Sequence, residues 1–278
     1  MEWIPRIPLA QWIESLLDVL TDALAGLTRA ISAVMQTGIR SFVGGLGGMP
    51  WWLLLLILVG LAFVLADRKV AIGSAIGLFF IWNIGLWDPM VSTLVLVLLA
   101  TLIAILFGIP LGIIGGLSDR FYIVIKPILD FMQTMPAFVY LIPAIPFFGL
   151  GSVSAIMSTV IFSIPPVIRL TALGIRQIDH ELIEASDSFG STTMQKLLKV
   201  QLPLSLPTVM AGINQTIMLA LSMVVIAAMI GAGGLGGEVW RAIQRLRPGD
   251  GFEAGIAVVI MAIILDRITQ KIASRDRK

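Results

Sequence analysis

One polar passage, residues 179–203, interrupts an otherwise apolar chain and gathers the side chains whose types could do chemistry. Its sequence, DHELIEASDSFGSTTMQKLLKVQLP, combines carboxylate, ammonium, amide and hydroxyl groups with the chain's one histidine, His180. A catalytic base must lie within hydrogen-bond reach of the group that it activates, and the sequence places no nucleophile beside His180. We therefore interpret His180 as a solvated residue at a helix start, and the passage predicts no active site.

The composition argues against several other kinds of site. The chain has 0 cysteines and 1 histidine, which excludes disulfides and thiolate metal sites and argues against a histidine-based metal site. It contains no GxxxxGK[ST] motif and so no P-loop for a nucleotide phosphate. The net charge of +2 is too small to indicate a nucleic-acid partner. We expect a protein that is not an enzyme and that itself binds no metal, cofactor or nucleic acid.

The local pattern of residues 179–203 predicts two short helices joined by a corner. Asp179 is placed to cap the first helix, and Gly190 breaks that helix. Thr192 and Gln195 have the spacing of a capping box for the second helix, and Pro203 falls just beyond it. Because a pair of polar helices cannot lie in hydrocarbon, we expect it to stand in water on one side of a membrane.

The rest of the chain has the composition of a polytopic membrane protein. Of its residues, 58% are hydrophobic and only 13% are charged. Several apolar runs approach or exceed the roughly 18 to 20 residues that cross a bilayer, which predicts an all-α membrane protein with about seven spanning helices. The predicted spans cover about 51–66, 70–87, 90–117, 127–149, 152–172, 206–231 and 253–270.

Two features precede the first predicted span. Residues 8–35 place apolar side chains at helical spacing opposite a polar face, which predicts an amphipathic helix. Such a helix can lie on the membrane surface or pack as an ordinary helix against the bundle, and the sequence leaves both interpretations open. The glycine-rich stretch 41–50 predicts a hinge between this helix and the first span.

The distribution of basic residues predicts the orientation in the membrane. With seven spans, 13 of the 19 lysines and arginines fall on one side, and the positive-inside rule makes that side cytoplasmic. The N-terminus then lies outside and the C-terminus inside. Residues 179–203 are predicted to face the cytoplasm.

The fourth predicted span is interrupted by Pro136, Pro143 and Pro146, and each proline bends a helix and leaves a carbonyl unpaired. The broken helix could line a cavity or flex at a gate, or it could be a static kink, and both interpretations stand. Polar residues inside spans often mark a pathway, although Asn214 favours an interhelical hydrogen bond. The candidate pathway and gate residues are Gln133, Met135, Pro136, Phe138, Tyr140, Asn214 and Met218.

Two carboxylates and a glycine row within the spans are predicted to have structural roles. Asp130 and Asp266 lie near cytoplasmic ends of spans, where they can reach water or pair with nearby basic residues. Gly108, Gly112 and Gly116 have the GxxxG spacing that suits close contact with a neighbouring helix.

The polar passage resembles the EAA loop of bacterial ABC importer permeases. That loop has the pattern EAA, three residues, glycine, nine residues and then I-x-L-P. This chain has EAS at 184–186, glycine at 190 and VQLP at 200–203, so a serine replaces the second alanine and a valine replaces the isoleucine. The resemblance implies that the passage couples the membrane domain to an ATPase. The residues implied in coupling are Glu184, Ala185, Ser186, Gly190, Val200, Leu202 and Pro203.

The resemblance extends over most of the chain. The run from Trp87 to about Thr269 resembles the five-helix core of type I importers. The sequences MQTMPAFVYLIPAIPFF and SIPPVIRLTALGIRQ resemble the glycine betaine/proline permease branch. The implied segments are an N-terminal amphipathic helix and hinge at 1–50, two additional spans at 51–87, the type 1 core at 88–272 and a basic cytoplasmic tail at 273–278.

The family resemblance also implies a function and partners. The chain would be the permease subunit of an ATP-driven importer for glycine betaine or related osmoprotectants in the bacterial cytoplasmic membrane. Its partners would be a second permease copy, two cytoplasmic ATPase subunits that carry ATP and Mg, an extracellular or periplasmic substrate-binding protein, and membrane lipid. The alternatives are a permease for choline, carnitine or proline, and an ion-driven secondary transporter.

Overall fold

The computed structural model describes residues 8–275, and α-helices form nearly all of this part of the chain. Residues 1–7 and 276–278, parts of the predicted N-terminal segment and basic tail, lie outside the described residues. The helices are α1 (Leu9–Gly47), α2 (Trp51–Leu65), α3 (Arg68–Asn83), α4 (Trp87–Leu117), α5 (Asp119–Thr134), α6 (Leu141–Phe148), α7 (Ser152–Arg176), α8 (His180–Ser188), α9 (Thr193–Lys196), α10 (Leu202–Ala227), α11 (Gly234–Gln244) and α12 (Pro248–Arg275). Short 3₁₀ turns at Ala137–Tyr140 and Ala228–Ile230 and a π turn at Leu197–Gln201 join some of them.

The centre of the bundle is formed by α4, α7 and α10, which pack against one another along most of their lengths. The glycine row of α4 faces α7. A Cβ atom on Gly108 would lie 2.3 Å from Val167, and one on Gly112 would lie 2.5 Å from Thr171. Gly116 meets α7 in the same way one turn later. The predicted close contact at the GxxxG spacing is confirmed, because a larger residue would collide with the neighbouring helix.

Three helical runs are long and apolar enough to cross a membrane: Trp87–Leu117, Ser152–Arg176 and Thr193–Ile230. Two bent pairs, α1 with α2 and α5 with α6, raise the number to 5 within residues 8–275 if each pair is one span. This is fewer than the seven spans predicted. The predicted second span forms α3, whose 16 residues extend about 24 Å and fall short of the roughly 30 Å hydrocarbon core.

The predicted hinge at 41–50 is largely helical, because α1 continues to Gly47. Glycine costs about 1 kcal/mol in a helix interior, and the packing of Val43 and Leu46 against the core offsets this cost. The chain turns only at residues 48–50, and α1 meets α2 at 103°. The helix packs against α4, α6 and α7, as one of the two interpretations of its amphipathic pattern predicted, and the apolar side chains nearer its start stay exposed.

Candidate functional site

The first half of the polar passage folds as the short helix α8 followed by a tight corner. Gly190 adopts a φ of +73°, a left-handed conformation that glycine enters without steric cost, and its N–H donates to the Asp187 carbonyl at 2.9 Å. The predicted break at Gly190 is therefore confirmed. Asp179 occupies the N-cap position, but its side chain makes no capping hydrogen bond, so the predicted cap is wrong in that detail.

The second half begins with the predicted capping box. The Gln195 side-chain oxygen accepts from the Thr192 N–H at 2.9 Å, and the Thr192 hydroxyl accepts from the Gln195 N–H at 3.3 Å. The sequence predicted that this helix ends before Pro203, and that prediction is wrong. A π turn carries α9 directly into α10, with the Leu202 N–H donating to the Leu197 carbonyl. Pro203 lies in the first turn of α10, where its missing N–H disturbs little.

An ion pair joins the two short helices across the corner. The Lys196 ammonium donates to both oxygens of Asp187, at 2.7 and 2.8 Å. The Lys196 side chain is only 17% exposed, so this contact is more sheltered than a typical surface pair. Sequence reasoning missed the pair because Asp187 and Lys196 lie on different helices, and only the corner at Gly190 brings them together.

The base of the passage is anchored by Arg176 at the end of α7. Its Nε donates to the Gly115 carbonyl at 2.9 Å, its Nη1 lies 2.7 Å from Asp119, and its guanidinium lies 4.4 Å from the Tyr122 ring centroid. These contacts tie α7 to the end of α4 and the start of α5 immediately before the passage begins. At the other end, Leu197 is buried and holds the π turn in the bundle.

Between these anchors α8 projects from the bundle, and none of its residues is buried. Three apolar side chains on the projecting part are exposed: Leu182 at 45%, Phe189 at 90% and Met194 at 62%. An apolar side chain that is so exposed on a helix that touches little else indicates a surface that another protein covers. The signal in the sequence was the helical spacing of Leu182, Ala185 and Phe189 inside a polar passage.

The predicted coupling residues fall into two groups on either side of α9. The first group lies on α8 and its corner, where Glu184, Ala185 and Gly190 are exposed and Ser186 is half-buried. The Glu184 carboxylate is 72% exposed and lies 3.5 Å from His180 Nδ1. The second group lies at the π turn and the start of α10. It comprises Val200 and Leu202, both half-buried, and Pro203, which is exposed.

The proline-containing span is broken at one place. Met135, immediately before Pro136, takes an extended ψ of 135°, and α5 meets the following 3₁₀ turn and α6 at 111°. A residue before proline is pushed out of the helical region, which explains the position of the break. The predicted span at 127–149 is therefore two helices. Pro143 and Pro146 remain inside α6 and do not break it.

The hydroxyl of Tyr140 closes this break. It donates to the Met132 carbonyl, which is the carbonyl that residue 136 would bond in an unbroken helix. Pro136 has no N–H with which to make that bond, and Tyr140 supplies a donor in its place. Tyr140 is 5% exposed, and its ring packs edge-on against Phe162 with the centroids 5.5 Å apart. These contacts brace the kink at Pro136.

The other pathway candidates lie on the broken span and on α10. On the broken span Gln133, Pro136 and Phe138 are exposed, whereas Met135 is half-buried, as Met218 is on α10.

Asn214 and Asp130, two polar residues within the predicted spans, pair with partners on other helices. The Asn214 amide donates to the Asp266 carboxylate at 2.9 Å, which confirms the expected interhelical hydrogen bond. The same carboxylate accepts from Gln270 at 2.7 Å. Asp130 pairs with Arg169 of α7 rather than with a basic residue near it in sequence. These contacts join α10 to α12 and α5 to α7.

The model of a protein family described as "Binding-protein-dependent transport system inner membrane component" matches residues 108–275, which include the whole polar passage. The chain belongs to this family. It is thus a multi-pass inner-membrane permease of the ABC importer class, and its relatives are named as permease proteins of transport systems rather than as ATPases.

Three curated permeases are similar to the chain over nearly its whole length. The glycine betaine transport system permease protein OpuAB of Bacillus subtilis is 51% identical, and the alignment covers 100% of this chain and 98% of OpuAB. The glycine betaine/carnitine transport permease protein GbuB of Listeria monocytogenes is 53% identical, with 96% of each chain covered. The glycine betaine/proline betaine permease ProW of Escherichia coli is 44% identical, covering 98% of this chain and 77% of its own.

A solved structure shares the fold of this permease. A chain of the MetNI methionine ABC transporter, in an inward-facing conformation, aligns with a TM-score of 0.63. The alignment covers 67% of this chain and 94% of the other, at 21% sequence identity. The predicted fold class, the transmembrane fold of a type I importer, is confirmed.

Proposed function

We propose that this chain is the permease subunit of an ATP-driven importer for glycine betaine. The observation that carries the proposal is that the three relatives compared above, each aligned over nearly the whole chain, are all named for glycine betaine. Two of these names add a second solute, carnitine or proline betaine, so transport of a related zwitterion is a secondary expectation. Neither a solute unrelated to betaine nor an ion-driven secondary transporter is favoured.

In the proposed mechanism two permease copies form the pathway, and residues 179–203 of each copy dock on a separate ATPase subunit. The exposed apolar side chains of Leu182, Phe189 and Met194 supply the docking surface. The corner at Gly190 and the Asp187–Lys196 pair hold the two short helices as one body. Because the π turn joins that body to α10 without a loop, a displacement of the docked surface is passed to the membrane helices.

The proposed orientation places residues 179–203 and the C-terminus in the cytoplasm and the N-terminus outside. The excess of lysine and arginine that a topology of seven spans places on one side supports it. The proposed division of the chain is an outer N-terminal segment at 1–50, two additional helices at 51–87, the core at 88–272 and a basic tail at 273–278.

ATP and Mg belong to the partner ATPase in this proposal, and this chain contributes no group to hydrolysis. An extracellular or periplasmic binding protein delivers the solute and supplies most of the selectivity. A pathway of low net charge suits glycine betaine, because a zwitterion carries no net charge for the pathway to neutralise. Aromatic side chains such as Phe138 offer faces to a quaternary ammonium, and this residue is 55% exposed.

Uptake of labelled glycine betaine into proteoliposomes tests the proposal. We expect uptake only when the chain is reconstituted with its ATPase, binding protein and internal ATP, and we expect excess unlabelled proline betaine to compete. The chain reconstituted alone with a sodium or proton gradient should give no uptake. Gradient-driven uptake by the chain alone would contradict the proposal, as would ATP-driven uptake of an unrelated amino acid in preference to betaine.

A further inference from the structure

A long groove separates α3 from α12 on the outside of the bundle. Its volume is about 600 Å³, and its walls are apolar over most of their length. Two glycines of α3 shape it. A Cβ on Gly77 would lie 2.6 Å from Ile260, so the helices touch there, whereas a Cβ on Gly73 would meet nothing within 4 Å. The apolar walls are formed by Val70, Ile76 and Phe80 of α3 and by Ile260, Ile263 and Ile264 of α12.

One end of the groove is basic. Lys69, Arg267 and Lys271 line this mouth together with a single carboxylate, Asp67. The Asp67 carboxylate lies 2.9 Å from the Lys271 ammonium and so neutralises one of the three cations. Lys69 and Arg267 form no ion pair with any residue in the described part of the chain. The mouth therefore presents two uncompensated positive charges beside an apolar slot.

A buried hydroxyl lies in the wall of the same groove, near the basic mouth. The Ser74 side chain is 2% exposed, and its Oγ has no hydrogen-bond partner within residues 8–275. A buried hydroxyl without a partner is unfavourable, because it has given up its hydrogen bonds to water and gained none in return. Its Oγ is covered by neighbouring atoms, so an acceptor oxygen in the groove would satisfy it once the side chain rotates toward the groove.

We propose that this groove binds an anionic phospholipid. One acyl chain lies along the apolar walls, the phosphate meets Lys69 and Arg267 at the mouth, and an ester oxygen accepts from Ser74. The separation of apolar wall from basic mouth argues for a lipid, because a soluble anion would gain nothing from the apolar length of the slot. The site lies away from residues 179–203 and does not depend on which solute the permease carries.

Lipid binding to the purified full-length chain tests the charge at the mouth. Native mass spectrometry in detergent would compare palmitoyl-oleoyl phosphatidylglycerol with the phosphatidylcholine of the same acyl chains. Each basic residue near an anionic lipid contributes about 1 kcal/mol, so Lys69→Gln with Arg267→Gln should weaken phosphatidylglycerol binding roughly 30-fold. The matched control is Arg29→Gln with Arg40→Gln on α1, which removes the same charge elsewhere and should change binding less than twofold.

A second measurement tests whether lipid occupies the groove by protecting a thiol placed there. Because the chain has 0 cysteines, Gly73→Cys introduces a single thiol at an exposed position of the groove wall, where a Cβ meets nothing within 4 Å. We expect phosphatidylglycerol, but not phosphatidylcholine, to slow its reaction with N-ethylmaleimide by tenfold or more. Equal protection by both lipids, or no protection, would overturn the proposal. A disulfide-linked dimer of the Gly73→Cys variant would also overturn it, since a second copy of the chain would then occupy the groove.

Discussion

The Lys196 ammonium lies 2.7 Å from the Asp187 carboxylate, and this pair holds α8 against α9 across the corner at Gly190. The passage of residues 179–203 has little buried core of its own, and α8 touches the rest of the chain mainly through α9. Its shape therefore depends on the left-handed glycine, the Thr192–Gln195 capping box and this ion pair. The proposed coupling role requires a stiff passage, and the glycine corner, the capping box and the ion pair supply that stiffness in the proposal.

We predict that Asp187→Asn lowers ATP-driven uptake without lowering the amount of permease in the membrane. A sheltered surface pair contributes about 0.2–1 kcal/mol, so uptake should fall by up to about fivefold while folding is little affected. Transport and membrane content would be measured on the same vesicles. The exchanged pair, Asp187→Lys with Lys196→Asp, should recover part of the uptake. Wild-type uptake in the Asp187→Asn variant would show that the pair does not stiffen the passage.

We predict that Tyr140→Phe destabilises the permease although it keeps the aromatic ring. The change leaves the Met132 carbonyl without the donor that replaces the missing N–H of Pro136. Loss of a partner for a buried polar group costs about 1–3 kcal/mol, which should lower the midpoint of thermal unfolding in detergent by several degrees. Tyr122→Phe, the same change at the other of the 2 tyrosines, is the control. Equal midpoints for both variants would contradict the bracing role.

We predict opposite behaviour for two glycine-to-alanine changes in helices. Gly112→Ala places a Cβ 2.5 Å from Thr171 and 2.8 Å from the Ile168 carbonyl, so α4 and α7 must separate. Overpacking of this kind costs about 1–3 kcal/mol. Gly60→Ala meets nothing within 4 Å and should be neutral or stabilising by up to about 1 kcal/mol. The midpoint of thermal unfolding in detergent would be measured for both variants and the wild type. An unchanged midpoint for Gly112→Ala would contradict the close packing of α4 and α7.

The sequence predicted the parts of the fold and site that depend on local patterns. The break at Gly190, the Thr192–Gln195 box and the close approach at Gly112 each follow from residue type and short spacing. The break before Pro136 follows because the residue before a proline disfavours the helical conformation. Apolar run length and charge distribution indicated a membrane bundle, and the spacing from residue 184 to 203 indicated the family.

The rest depends on contacts that no local pattern encodes. Asp187 meets Lys196, Tyr140 meets Met132 and Arg176 meets Gly115 only after the chain has turned. The π turn before Pro203 arises because the chain continues as one helix, whereas the sequence pattern alone predicts an end. The predicted hinge at 41–50 is wrong for a similar reason, because tertiary packing outweighs the low helix propensity of glycine.

We predict that acid destabilises the permease partly through Asp67. Its hydrogen bond with Lys271, and after that the one from the Val70 N–H, lowers the pKa of this carboxyl below its ordinary value of 3.8. A lowered pKa in the folded state stabilises the protein above pH 3.8 and loses that effect as the pH falls through the folded-state pKa. The unfolding midpoint should therefore fall less between pH 5 and pH 3 in Asp67→Asn than in the wild type. If the unfolding midpoints of the two proteins fall equally over this pH range, Asp67 does not contribute to the acid destabilisation.

The most direct test of the coupling role compares two changes at Gly190, whose left-handed φ of +73° asparagine tolerates and proline cannot adopt. No atom lies within 4 Å of a Cβ at this position, so the comparison reports backbone shape rather than crowding. The measurement is ATP-dependent uptake of labelled glycine betaine into proteoliposomes that contain the permease, its ATPase and its binding protein. We expect Gly190→Asn to retain most uptake and Gly190→Pro to abolish it at wild-type membrane content. Uptake at the wild-type rate by Gly190→Pro would contradict the account.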